Sequence, residues 1–329
     1  MLSDSFERQI DYLRISITDR CNYRCLYCMP ANGIEPKPRH QLLSYEETLT
    51  IVELFVKLGL SRFRITGGEP LIRKGLVELI GAISQIKGVA DLALTTNGTL
   101  LARYARALKG AGLKRINISL DSLNPQKYYE ITRGGNIHEV LAGIDAALDL
   151  GFSPIKLNTV VIRGINDDEL IDFVRFASAK PLESRFIEFM PLGKEGIWSP
   201  EKFIPGKEIR ARITREIPIN PITDTRIKGG GPAEYYQIKG SPGTIGFITS
   251  LTENICQRCN RVRLTADGYL RTCLLADREY DVKALIREGA SEEEILSFIR
   301  DAIRQKPQGR CFNLDQPQIS RSPMSAIGG

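Results

Sequence analysis

The sequence predicts an α/β protein: a partial parallel (βα)6 TIM-like barrel over residues 1–195, then a smaller α+β cap over residues 196–329. Two observations predict it. Strand-like and amphipathic helical segments alternate through the first two-thirds of the chain. The texture then changes at Pro191, after which Pro200, Pro205, Pro218 and Pro221 interrupt the pattern.

In chain order, strand patterns fall at Tyr12–Thr18, Arg62–Thr66, Asp91–Thr96, Arg115–Leu120, Ile155–Ile162 and Ser184–Met190. Ser44 with Glu47 suits a capping box, opening a helix that runs to Leu58 and stops at Gly59. The clearest helix runs from Asn136 to Leu150. Ile137, Val140, Leu141, Ile144, Ala147 and Leu148 share one face, Asn136 and Glu139 suit a second capping box, and Gly151 ends it. Strands buried on both faces read as continuous apolar runs. These instead carry a polar stripe each: Arg14 and Ser16, Arg64 and Thr66, Thr95 and Asn97, Asn117 and Ser119, Lys156 and Asn158, and Glu188. The intervening Leu13, Ile15, Ile65, Ile116, Leu157 and Ile187 are expected to face the helices. Such a stripe describes a lumen for a polar ligand. Arg14, Arg64 and Lys156 need an anion there, supplied either by a ligand or by Glu69, Asp121 and Glu188. The cap pattern holds a Gly229-Gly230-Gly231-Pro232 turn and short strands at Glu234–Lys239 and Thr244–Thr249. A hairpin Arg261–Leu274 turns at Asp267-Gly268, and helices follow near Tyr280–Gly289 and Ser291–Lys306.

The chain has 329 residues, a net charge of +6 and 42% hydrophobic residues, the composition of an ordinary globular protein. No run approaches the length of a membrane span, and the N-terminus is charged rather than signal-like. A cytoplasmic location is therefore expected, with the seven cysteines kept reduced and available for metal or redox chemistry. No dense basic run with interleaved aromatics points to nucleic acid, and a mild positive charge suits a small anionic substrate. His40 and His138 are too few for a histidine-based metallohydrolase.

Cys21-x3-Cys25-x2-Cys28 directly follows the first strand pattern. Sites held only by cysteine usually need four thiolates. Three supply a [4Fe–4S] cluster with one iron left open to a substrate or cofactor; the alternative is zinc completed from elsewhere. Thr66-Gly67-Gly68-Glu69-Pro70 ends the second strand, with glycines that admit a close ligand and a carboxylate for an ammonium group. Cys256-x2-Cys259-x13-Cys273 forms a second set among Arg258, Arg261, Arg263 and Arg271. It suits either zinc with a further ligand or a second cluster; Cys311 could be that ligand or simply a buried thiol.

The runs Tyr12–Cys21, Arg64–Leu71, Thr95–Gly98, Asn117–Leu123 and Cys256–Arg263, with the tail Met324-Ser325-Ala326-Ile327-Gly328-Gly329, carry a family resemblance. The chain resembles the GTP 3',8-cyclases of molybdenum-cofactor biosynthesis, a branch of the radical S-adenosylmethionine (SAM) enzymes. The resemblance implies two [4Fe–4S] clusters, one on Cys21, Cys25 and Cys28, the other on Cys256, Cys259 and Cys273. It implies SAM contacts from Tyr27, Gly68, Ser119 and Met190, and GTP contacts from Arg14, Arg64, Thr95, Lys156, Arg261, Val262 and Arg263. Arg261, Arg263, Gly328 and Gly329 would serve catalysis. Reductive SAM cleavage would yield a radical that takes hydrogen from ribose C3' of GTP, and the sugar would then join C8 of guanine. A flavodoxin or ferredoxin would supply electrons, a cyclic pyranopterin monophosphate synthase would take the product, and a homodimer is compatible. Phe6-Glu7-Arg8 departs from the family, which usually has glycine in the middle. A peptide-maturing radical SAM enzyme and a zinc-bearing nucleic-acid-binding protein are the other readings.

Overall fold

The computed structural model describes residues 2–192, 197–222, 231–253, 255–309 and 324–327. The barrel region runs β1 (Tyr12–Ser16), α1 (Tyr45–Lys57), β2 (Arg62–Thr66), α2 (Leu76–Gln85), β3 (Asp91–Thr96), α3 (Leu101–Gly110) and β4 (Arg115–Ser119). It continues through α4 (Pro125–Thr132), α5 (Ile137–Asp149), β5 (Ile155–Val161), α6 (Leu170–Ser178) and β6 (Leu182–Glu188). The expected strands are present, with ends moved by up to two residues. The Ser44–Glu47 capping box forms, whereas Asn136 caps α5 alone, through His138 N, and Glu139 takes no reciprocal part.

The remaining elements are α7 (Gly206–Glu216), β7 (Ile219–Pro221), β8 (Glu234–Ile238), β9 (Thr244–Ile248), β10 (Arg261–Leu264), β11 (Tyr269–Arg271) and β12 (Tyr280–Asp281). Helices α8 (Val282–Arg287), α9 (Glu292–Arg304) and α10 (Met324–Ile327) finish the chain. These strands do not form a separate layer over the barrel mouth. They extend the same sheet at both edges, in the linear order β12-β11-β10-β1-β2-β3-β4-β5-β6-β9-β8-β7. Strands β10, β1 to β6 and β9 are mutually parallel; the outer two on each side are antiparallel additions. Leu13, Ile15, Ile65, Ile116 and Leu157 are fully buried in the core with the helices, as the alternation predicts.

Register decides where the two cysteine sets go. Tyr12 pairs with Arg261 and Arg14 with Arg263, so β10 starts level with β1. Cys259 therefore sits at the amino end of the parallel strands. Antiparallel β11, pairing Arg271 with Arg263, brings Cys273 back to that same end. The Cys21 loop leaves β1 at the opposite, carboxyl end.

Candidate active site

One cavity of about 280 Å³ is lined from eight strands, including Arg14, Arg64, Thr95, Ser119, Asn158, Arg185, Ile248 and Arg261. The sheet is thus curled into a partial barrel around it. Cys21, Cys25, Cys28, Cys256, Cys259 and Cys273 all line this cavity, and none is in a disulfide.

The first cysteine loop is laced by arginines. Arg24 Nη1 donates to the Cys21 carbonyl at 2.7 Å, and Arg133 Nη1 donates to the carbonyls of Arg24 and Met29 at 2.9 and 3.0 Å. Tyr27 donates its hydroxyl to Asp121 at 2.6 Å, pinning the loop to the segment after β4. Gly68 N donates to Thr18 O at 2.7 Å, and Glu69 N to Arg20 O at 2.8 Å. A Cβ at Gly68 would stand 2.1 Å from Arg20 O, so the glycine admits the protein's own backbone as well as lining the cavity. The buried Glu69 carboxylate accepts from Thr96 Oγ1 and Asn97 N at 2.7 Å and from Leu71 N at 3.0 Å. Burial pushes its pKa up to about 7.

The second set has a different environment. Burial raises the Cys25 thiol well above its usual value, and the neighbouring Cys28, Asp121 and Cys21 add to the rise. At Cys259 burial acts the same way, but Arg261 and Lys306 outweigh it and bring the thiol down to about 7. No three Cys, His, Asp or Glu side chains among the described residues converge on a single ion. In a cubane each of three thiolates takes a different iron and the fourth iron stays open. Six cavity-facing thiols in two sets suit clusters.

Between the two ends lies a row of arginines. The register puts Arg64, Arg14, Arg263 and Arg271 side by side across β2, β1, β10 and β11. Like charges directly opposite one another on a sheet are destabilising. Arg271 pairs with Glu279. Burial lowers Arg14 well below the usual guanidinium range, and Arg263 and Arg64 push the same way. Burial brings Arg64 to about 10, and burial with Arg261 brings Arg263 to about 9. Buried Nε atoms of Arg14, Arg64 and Arg185, and the Thr95 hydroxyl, have no hydrogen-bond partner among the described residues. A polyanion would satisfy them.

Tyr27, Gly68, Ser119 and Met190 line the cavity, as do Arg14, Arg64, Thr95, Arg261 and Arg263. Two expectations differ. Lys156 is buried, pairs with Glu183 at 2.5 Å, donates to Tyr235 OH at 2.9 Å and does not line the cavity. Val262 places its side chain in the core, because strand alternation sends it opposite to Arg261 and Arg263. Among the described residues, the carboxylates of Glu69, Asp121 and Glu188 take backbone N–H and hydroxyl donors. Gly328, Gly329, Cys311 and the Gly229-Gly230 turn lie outside the described residues. Next to the tail end, Met324 lines the cavity and the Ile327 carbonyl stands 3.5 Å from Arg263 Nη1. Glu7 takes the left-handed conformation, φ 61°, so the chain turns there without glycine.

Arg185 was not among the expected site residues. It lines the cavity and donates to Asn117 and Asn158 at 2.8 and 2.5 Å. Within β6, Arg185 and Ile187 both line the lumen, whereas the polar stripe puts Glu188 inward and Ile187 against the helices. Alternation back from Ile187 would have found Arg185.

A curled parallel sheet with a three-thiol loop at the end of its first strand is the architecture of radical SAM enzymes. The model of the Radical SAM superfamily matches residues 15–177, and that of Molybdenum Cofactor Synthesis C matches residues 182–312. Streptococcus suis SuiB bound to precursor peptide SuiA shares the fold at a TM-score of 0.62 and 14% identity, over 96% of this chain and 76% of that one. The chain is 50% identical over 329 residues to the GTP 3',8-cyclase of Thermodesulfovibrio yellowstonii, covering 100% of both. It is 48% identical over 329 residues to that of Pelotomaculum thermopropionicum, again covering 100% of both. The chain belongs to the GTP 3',8-cyclase family. Among the described residues no helix is long and apolar enough to cross a membrane.

Proposed function

We propose that the protein cyclises GTP to (8S)-3',8-cyclo-7,8-dihydroguanosine 5'-triphosphate, the first step of molybdenum-cofactor biosynthesis, as a radical SAM lyase. The observation that carries this reading is the row Arg64, Arg14 and Arg263 between two cavity-facing thiol sets. Cys21, Cys25 and Cys28 would hold one [4Fe–4S] cluster, and Cys256, Cys259 and Cys273 a second. When bound, the first cluster with SAM supplies one-electron chemistry that ends in hydrogen abstraction from the ribose.

The protein's own residues position and shield. Tyr27, Gly68, Ser119 and Met190 line the carboxyl-end half and would contact SAM. Arg14, Arg64, Arg185 and Arg263 would take the triphosphate, and Arg261 with the second set would take the base. With that assignment the ribose would lie between the two ends, where reacting atoms need fixed orientation and exclusion of water. The Ile327 carbonyl stands beside Arg263, and the two glycines that follow it in sequence would suit a narrow space next to the nucleotide. In this reading residues 1–195 carry the SAM side and three of the four triphosphate arginines, and residues 196–329 the second cysteine set and the base side. An electron donor such as flavodoxin or ferredoxin and a downstream cyclic pyranopterin monophosphate synthase complete the sequence, since the reaction consumes electrons and leaves an unrearranged ring.

The test is anaerobic incubation of reconstituted protein with GTP, SAM and a strong reductant, followed by mass spectrometry. A product isomeric with GTP, together with 5'-deoxyadenosine and methionine, is expected. SAM cleavage that leaves GTP unchanged would overturn the reading.

A further inference from the structure

Buried cations hold the backbone around the second cysteine set. Lys306, from the segment after α9, is 3% exposed and lines the cavity. Its ammonium donates to the Arg261 carbonyl at 2.8 Å and to the Thr272 carbonyl. One of these carbonyls opens β10 just after Cys259; the other immediately precedes Cys273. Arg8 reaches in from the N-terminal segment. Its Nη1 donates to the Cys256 carbonyl at 2.8 Å and to Gln308 O at 2.7 Å, its Nη2 donates to Pro307 O at 2.7 Å, and Asp4 holds its Nε at 2.6 Å.

We propose that Lys306 and Arg8 are positioning residues for the second cysteine set, together fixing the distance between the Cys256–Cys259 loop and the Cys273 turn. The β10–β11 ladder pairs Arg263 with Arg271 and stops short of Cys259 and Cys273, so the thiols lie just beyond the part it fixes. Lys306 bridges the two segments, and Arg8 ties the Cys256 loop to the strand of chain that carries Lys306. The ammonium also brings a positive charge to a site that collects thiolates. Outer groups that fix ligands are worth about 10–100-fold in metal affinity. The inference rests on reading the second set as a cluster site.

The test uses the full chain with Cys21, Cys25 and Cys28 replaced by Ala, so that only the second site can hold iron. After anaerobic reconstitution, iron loss to a ferrous chelator, the cluster's electron paramagnetic resonance signal and its midpoint potential are compared. Lys306→Met is expected to lose iron about 10–100-fold faster, with a more negative potential, because a positive charge near the cluster is gone. Lys306→Arg should restore both. Arg8→Gln, near the chain end, provides a second measurement should Lys306→Met fail to fold, and about tenfold faster loss is expected. Iron loss and potential equal to the parent in folded Lys306→Met, or iron loss equal to the parent in Arg8→Gln, would overturn the proposal. A parent that binds no cluster overturns the cluster reading and this inference with it.

Discussion

The Cys21 loop leaves the carboxyl end of β1, close to Glu69 and Asp121, while Cys256, Cys259 and Cys273 gather at the amino end of β10 among Arg261, Lys306 and Arg271. Both sets use three cysteines, and both have arginine donors on their carbonyls. Their electrostatics are opposite. Burial raises the Cys21 and Cys25 thiols, with Glu69 and Asp121 adding to the rise, whereas Arg261 and Lys306 outweigh burial and bring Cys259 down to about 7. A site with carboxylates suits the ammonium of an amino-acid-bearing cofactor, and a site with guanidinium groups suits a nucleotide polyphosphate. In the proposed reading one motif type would serve two ligands according to the charge that the sheet register places around it.

The largest expected effect separates the two sets outright. Cys25→Ala should abolish SAM cleavage while the protein keeps about four of roughly eight irons, as for two cubanes. Cys259→Ala should keep SAM cleavage and lose cyclised product. Iron and deoxyadenosine assays read both, and coincident loss of iron from both sites in either variant would break the comparison.

Removing Gly328 and Gly329 should act on the second side alone. Both clusters and GTP affinity should remain close to parental, while single-turnover product yield drops greatly, because orientation can be lost without binding. Equal yields from truncated and full-length protein would make the tail dispensable.

Within the arginine row, Arg64→Ala should weaken GTP binding about ten- to a hundredfold, from roughly 1.5–3 kcal/mol per charge-assisted contact. Arg185→Ala should do the same. Lys156→Ala should instead cost mainly stability, on the order of a few kcal/mol, by stranding Glu183. Calorimetric titration and melting curves distinguish them; GTP binding lost in Lys156→Ala with stability unchanged would return that lysine to the nucleotide.

The smallest effect concerns acid titration on the first side. Glu69 has a folded pKa of about 7, above its unfolded value, because of burial. Its contribution to stability is fully present below the unfolded carboxylate pKa and is lost as pH rises through about 7. The melting temperature of the metal-free protein should therefore fall between pH 5 and pH 8 (roughly the window these values set), and Glu69→Gln should flatten that slope. An unchanged slope in Glu69→Gln would remove the carboxylate from the account.

By itself the sequence determined what is local: the six barrel strands, the Ser44 cap, the eight-residue loop that brings Cys21, Cys25 and Cys28 together, and the polar stripes with Arg14 and Arg64. These follow from periodicity, capping and spacing, which act within a few residues of one another. The tertiary structure decided what depends on distant pairing. Alignment of β10 with β1 put Arg263 beside Arg14 and sent the second cysteine set to the far end of the lumen. Composition suggested a lid because it registers a change of texture but not which sheet edge a strand will join. Lys156 looked like a lumen cation until β6 brought Glu183 against it. Arg185 went unseen because taking Glu188 as the inward polar residue of β6 assigns the alternate positions, Arg185 and Ile187, to the helix side. Lys306 and Arg8 carried no motif at all, since a cation that binds carbonyls is recognisable only once the chain has placed those carbonyls around it.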